Sequence, residues 1–312
     1  GQFSLGHAGF IAIGAYSSGV LTATYGMPLW VGILAAMLFA ALASVLIGFT
    51  MHGGPLLVLL QWNEFIIIGG AAFGSMLVGT PLRVLKHLAG AVGSIFKGDP
   101  FTKDEYLNLL KSMYELFNVA TRDGLINVES HVETPDKSPI FAKNPFLLKR
   151  HHALSFLCDT MKLLLGGGVA PHDLEAMLDL DIETHHAEQA PATAALTKIS
   201  DALPGLGIVA AVLGIVVTMQ AIGGPPEEVG AKVAAALVGT FLGILLCYGY
   251  VGPMASHLEL LVASESRYLE CIKAGLVAYA KGNAPITVVE FARRSICSDV
   301  RPSFKELETS AR

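Results

Sequence analysis

SDALPGLGIVAAVLGIVVTM, residues 200–219, decides how the chain is read. From Pro204 onward it has no acidic or basic side chain, and it is long enough to cross a bilayer at about 1.5 Å rise per residue. Its first half is crowded with small residues: Gly205, Gly207, Ala210 and Ala211 follow Pro204. A second stretch, AAALVGTFLGILLCYGYVGP at 234–253, has the same character, with Ala235, Gly239 and Gly243 four apart on one helix face. In the first stretch Gly207/Ala211 and Ala210/Gly214 repeat that spacing. Small residues four apart let helix backbones approach closely in lipid. Two uses fit: packing within one subunit, or enclosing a helix of a partner.

Proline placement adds geometry. Pro204 is expected in the first turn of its helix, where its missing N–H costs little, with Ser200 or Asp201 as cap. Pro253 lies late in the second stretch and should free a carbonyl and bend it. In antiparallel spans the two prolines would lie near the same membrane surface. Thr240 is the main polar side chain on the small-residue surface, and a hydroxyl there can simply bond its own helix. An ion path normally has an ionisable group at depth. No Asp, Glu, His, Lys or Arg lies within 204–223 or 233–255, so if the chain moves protons, the carboxylate that binds them is expected from another chain.

The rest of the composition agrees with a membrane protein. The 312 residues are 53% hydrophobic and only 15% charged, where soluble domains carry about 25% charged residues. Residues 1–82 contain no Lys or Arg, and Glu64 is their only acid. Apolar stretches occur near 8–25, 29–50, 62–80, 204–223 and 233–255. Arg83, Lys86, Lys97, Lys103 and Lys111 crowd the end of the third, which places the following segment in the cytoplasm. Two more spans return the tail to the same side. Five crossings would put the N-terminus outside. The expected class is all-α: multi-pass transmembrane helices with a large helical cytoplasmic insertion. The boundaries are an N-terminal membrane segment 1–45, membrane helices 46–82, the cytoplasmic domain 83–203, the helix pair 204–255 and a cytoplasmic tail 256–312.

The insertion reads as helical. KDEYLNLLKSMYELFNVATRDG, from Lys103, lines up Tyr106, Leu109, Leu110, Met113, Leu116, Phe117 and Ala120 on one face, closed by Gly124. A second helix is expected near 144–165, ending at Gly166–Gly168, and a third begins at Pro171. Asp179, Glu183 and His186 share a face beside His185, which suits a solvated surface better than a metal site. Cys158, Cys247, Cys271 and Cys297 show no CxxC spacing and read as reduced thiols. No phosphate loop or activated nucleophile is present, so the chain is not expected to be an enzyme or to hold a cofactor. A net charge of -5 argues against nucleic acid.

DALPGLGIVAAVLGIV and AALVGTFLGILLCYGYVGPMA resemble the third and fourth membrane helices of the MotA family of flagellar motor stator subunits. The resemblance extends to MHGGPLLVLLQWNEFIIIGGAAFGSMLVG at 51–79, DIETHH at 181–186 and VVEFARRSICSDVRPSFKELE at 288–308. It implies a proton channel of the bacterial inner membrane, used for flagellum-dependent motility and chemotaxis. In it a homo-oligomeric ring, a pentamer, surrounds a MotB-like partner whose aspartate carries the proton, and cytoplasmic loops turn the rotor through FliG. Pro204 and Pro253 match the family's two important prolines. Thr240 and Tyr248 match positions near the ion path. Ala211 stands where sodium-driven relatives typically carry threonine, which implies protons as the coupling ion. Glu129 in LINVESHVETP matches the acidic rotor-contact position, with Arg122 upstream as its basic partner. GQFSLGHAGF and the residues after it are instead similar to LivM-type permeases of branched-chain amino-acid transporters. An ExbB/TolQ-like energiser of outer-membrane processes and an ABC-permease fragment are the alternative readings.

Overall fold

The computed structural model describes residues 45–54, 56–95, 98–122, 124–220 and 222–311. The expected span at 8–25, nearly all of that at 29–50 and the permease-like segment lie outside them. In chain order the main helices are α1 (Trp62–Gly79), α2 (Leu82–Ile95), α3 (Lys103–Arg122), α4 (Leu125–Glu133), α5 (His151–Gly166), α6 (Pro171–Met219), α7 (Pro226–Leu246), α8 (Gly252–Ala280), α9 (Pro285–Ser295) and α10 (Phe304–Ala311). There is no strand among the described residues. α1, α6 and the run from α7 through α8 are each long and apolar enough to cross a membrane.

The chain folds into two compact units. One holds the residues up to Gly98 together with Pro191–Glu259; the other holds Asp99–Ala190 and Leu260–Arg312. In the first unit α1, α6 and α7 bury Ile68, Ala72, Leu203, Ala210, Val238 and Leu242 against one another. α2 lays Leu88 against Ala192, Ala195 and Leu196 of α6 and Ala255 and Leu258 of α8. This helix was not expected. Its apolar period, Val84, Leu88, Ala91, Val92 and Ile95, is masked in a reading that uses Arg83 and Lys86 only for orientation.

α7 begins earlier than the expected span. Pro226 takes the first helical position, where a missing N–H costs nothing, and Glu227 and Glu228 face the positive helix end. The connection between Met219 and Pro226 is correspondingly shorter than the gap between the expected stretches 204–223 and 233–255.

In the second unit α3 does what its spacing predicts. Tyr106, Leu109, Leu110, Met113, Leu116, Phe117 and Ala120 are all buried. Each large apolar side chain there contributes about 1.5–3 kcal/mol relative to exposure. Phe117 stacks on Tyr279 of α8 at 4.7 Å between centroids. The expected helix near 144–165 is two pieces, Pro145–Lys149 and α5, broken at Arg150. Gly167 and Gly168 then turn the chain at φ of 70° and 91°, a region open to glycine without a Cβ clash.

The break at Arg150 serves a polar cluster. Its guanidinium lies 4.8 Å above the Phe101 ring centroid and 3.7 Å from Glu265. Gln189 donates to Glu265 at 3.1 Å, and His185 lies 3.7 Å from the same carboxylate. Burial pushes the Glu265 carboxyl up, but His185, Gln189 and Arg150 outweigh it and hold it at about 2. His152 stacks on His185 with 3.7 Å between ring centroids. Burial first, then the His185 charge, moves His152 below its ordinary value, against the pull of Asp181, Glu265 and Glu188.

That shift has a definite sign. The fold favours neutral His152, whereas the unfolded chain takes up the proton near 6.5. Its contribution is therefore full above 6.5 and is lost as the pH falls towards the folded value. His152→Gln should flatten this acid-side loss. Thermal unfolding of the solubilised chain on either side of pH 6.5 checks it; an unchanged pH slope in the variant would count against it.

Candidate functional site

α6 and α7 run antiparallel and meet through the residues the spacing picked out. Ser200 lies opposite Cys247, Gly207 opposite Gly243, Ala210 opposite Gly239 and Gly214 opposite Ala236. The approach is close enough that a Cβ could not be added. On Gly207 it would sit 2.8 Å from the Gly239 carbonyl oxygen; on Gly243, 2.6 Å from that of Leu203; on Gly214, 2.7 Å from the Ala236 Cβ. The small faces are thus used within one chain. Of the two uses left open above, the structure shows this one: the glycines zip the subunit together. Ala211 is buried in the same contact, and its backbone nitrogen lies 3.1 Å from where a Gly239 Cβ would stand.

Pro204 departs from expectation. It does not open a helix; it lies inside the 49-residue α6, which begins at Pro171 and also runs through Pro191. Ser200 and Asp201 are therefore not caps. The physical reason is that the charged stretch from Pro171 has enough buried apolar contacts to continue into the membrane helix without a stop. A proline there deprives the carbonyl four residues back, that of Ser200, of its helical partner. The Ser200 hydroxyl reaches across to α7 and donates to the Cys247 carbonyl at 3.3 Å.

Cys247 is where the second helix becomes irregular. Cys247–Val251 forms a π-helical turn, in which the Gly252 N–H donates to the Cys247 carbonyl five residues back. Where a bend was expected from Pro253, the structure shows this π-helical turn just ahead of the proline. A Cβ on Gly252 would lie 2.9 Å from that carbonyl and 3.2 Å from Ser200 Oγ. So the turn of α6 just ahead of Pro204 is bonded to the π-helical turn that follows α7. The expected residues divide accordingly. Gly207, Ala211, Gly214, Gly239 and Gly243 come together in the contact. Thr240 and Pro204 are half-buried, and Pro253 and Tyr248 are exposed. Arg122, at the end of α3, and Glu129, on α4, are both exposed in the other unit.

Spacing alone did not reveal one further residue. Glu64, in the first turn of α1, is buried to 6% exposure against this helix pair. Its Oε2 lies 2.6 Å from where a Gly239 Cβ would be, and its Oε1 lies 3.7 Å from the corresponding point of Gly214. The signal was its isolation as the only charged residue in 82. Among the described residues no group of His, Cys, Asp and Glu is arranged to hold a metal.

Residues 36–124 match the family model of the Motility protein A N-terminal region, and residues 149–271 match that of the MotA/TolQ/ExbB proton channel family. Motility protein A of Salmonella typhimurium is 38% identical over 271 residues, covering 87% of this chain and 92% of that protein. Chemotaxis protein LafT of Vibrio parahaemolyticus is 37% identical over 267 residues, covering 86% and 94%. The fold is similar to the C. jejuni MotAB structure, with a TM-score of 0.71 at 21% identity over 89% of this chain and 100% of that one. It is also similar to the Bacillus subtilis flagellar MotAB stator complex, with a TM-score of 0.64 at 21% identity over 91% and 99%. With zipped small-residue helices, a π-helical turn just ahead of Pro253 and these relatives, the chain belongs to the Motility protein A family within the MotA/TolQ/ExbB proton channels.

Proposed function

We propose that this chain works as the flagellar motor stator subunit that, with a MotB-like partner, forms a proton channel and couples proton flow to rotor torque. The observation that carries the reading is the α6–α7 pair: tightly zipped, free of Asp, Glu, His, Lys and Arg along both apolar stretches, and found in a chain of this family. The named relatives favour a stator over an ExbB-like energiser or a permease. The family is one of proton channels rather than an enzyme class.

Finer points belong to the same proposal. The partner supplies the channel aspartate, the ring is a homo-pentamer in the bacterial inner membrane, and the large loop and the C-terminus are cytoplasmic. Pro204, Ala211, Thr240, Tyr248 and Pro253 shape the ion path, and Arg122 and Glu129 meet the rotor protein FliG. Protons are the coupling ion and no cofactor is needed.

The test is complementation of a non-motile stator-deletion strain with this chain and its MotB-like partner. Pro204→Ala is the informative variant, because it restores a helical partner to the Ser200 carbonyl at the point where α6 bonds to the Cys247 turn. Swimming should be lost while the variant still inserts in the membrane at the wild-type level. Normal swimming would contradict the assigned role of Pro204, and failure of the wild-type pair to restore motility would contradict the stator reading.

A further inference from the structure

We infer that Glu64 is a proton-binding site contributed by this chain itself, at the end of the α6–α7 pair remote from the two prolines. The placement comes first. Its carboxyl occupies a notch that exists only because Gly214 and Gly239 have no side chains. Gly214 lies ten residues beyond Pro204, about 15 Å along α6, and Gly239 lies fourteen before Pro253, about 21 Å along α7. In the membrane orientation proposed above, on which this inference rests, that end faces the outside, where protons enter.

The chemistry follows from what surrounds the carboxyl. Glu64 Oε2 is fully buried and has no hydrogen-bond partner among the described residues. On α6 the titratable residue nearest in sequence to Gly214 is Asp201. On α7 the one nearest to Gly239 is Lys232, which is held by Glu228 at 3.0 Å. Neither helix therefore brings a cation to the notch. A bare carboxylate buried without a partner costs several kcal/mol, and the group escapes that cost by taking up a proton. The step balances simply: one proton from the outer water adds to the carboxylate oxygen, and the same proton leaves when an acceptor on another chain comes within reach. Ionisable groups in a membrane helix are expensive and functional by default. An 18-residue apolar helix that keeps one carboxyl, and two facing helices that keep glycines beside it, fit that rule.

Infrared difference spectroscopy on the complete complex with its MotB-like partner, in lipid, reads the site directly. The wild type should show the carbonyl stretch of a protonated carboxyl that responds to external pH and disappears in Glu64→Gln. If that variant does not assemble, Glu64→Asp serves instead, because it shifts the frequency of the same band. A spectrum unchanged by either substitution overturns the inference. Proton flux supplies a second readout: Glu64→Gln should lower it by at least about tenfold, since proton transfer through a positioned group is lost, and Glu64→Asp should restore part of it. Wild-type flux in Glu64→Gln would show that the carboxyl only fills space. The infrared readout does not depend on torque, so a wild-type complex that fails to turn a motor would sink the stator reading while still deciding the fate of Glu64.

Discussion

Gly243→Ala should abolish swimming and lower the amount of folded chain in the membrane, whereas Gly205→Ala should leave both unchanged. The contrast follows from what each new methyl group meets. At Gly243 it would stand 2.6 Å from the Leu203 carbonyl oxygen and 2.8 Å from the Gly207 Cα. Both are backbone atoms in packed helices and cannot rotate away, so α6 and α7 must separate. Overpacking of this kind costs about 1–3 kcal/mol. Separation also breaks the Ser200–Cys247 hydrogen bond, which is buried and worth about a further 1 kcal/mol. At Gly205 nothing lies within 4 Å of the added carbon. The two variants differ by the same single atom on the same kind of helix, so composition and helix propensity cancel. Immunoblots of washed membranes and swarm diameters measure the outcome. Equal levels and equal motility for the two variants would contradict the close antiparallel register.

Much of this architecture is legible in the sequence because it rests on local spacing. The α3 face is set by a helical period that no other element disturbs, and every residue assigned to it is buried. The glycine and alanine repeats of α6 and α7 likewise announce a close contact. They do not say with what, since spacing four apart describes a face and not its occupant. Only the three-dimensional register shows that the two faces consume each other. Pro204 was misplaced for a related reason. A proline is cheapest at a helix start, and the sequence does not show that Leu174, Leu178 and Ile182 bury the upstream stretch well enough to keep one helix going. Glu64 was visible as a lone acid, but its meaning depends on Gly214 and Gly239, which lie 150 or more residues away in the chain. The Arg150–Glu265–His185 cluster is non-local in the same way.

The consumption of the small faces changes what is left for a partner. Ile208, Val212, Ile215, Leu237, Ile244 and Tyr248 remain exposed on the outside of the helix pair. These bulky side chains, Tyr248 with a phenol at its tip, are the surface left open to lipid or to another helix. None is a carboxylic acid. Glu64 is a single carboxyl at one end of a hydrocarbon layer about 30 Å thick, so it can load a proton but not deliver it to the far side. On the proposed stator reading, a second acid on a partner helix carries the proton beyond the notch.

This requirement has a large and direct consequence. Proton uptake into liposomes containing the purified chain together with its MotB-like partner, driven by an imposed pH difference, should be well above that of empty vesicles. The chain alone, inserted at the same density, should give no more than the empty vesicles. Equal uptake with and without the partner would contradict the account, because the α6–α7 pair would then conduct without any borrowed carboxylate.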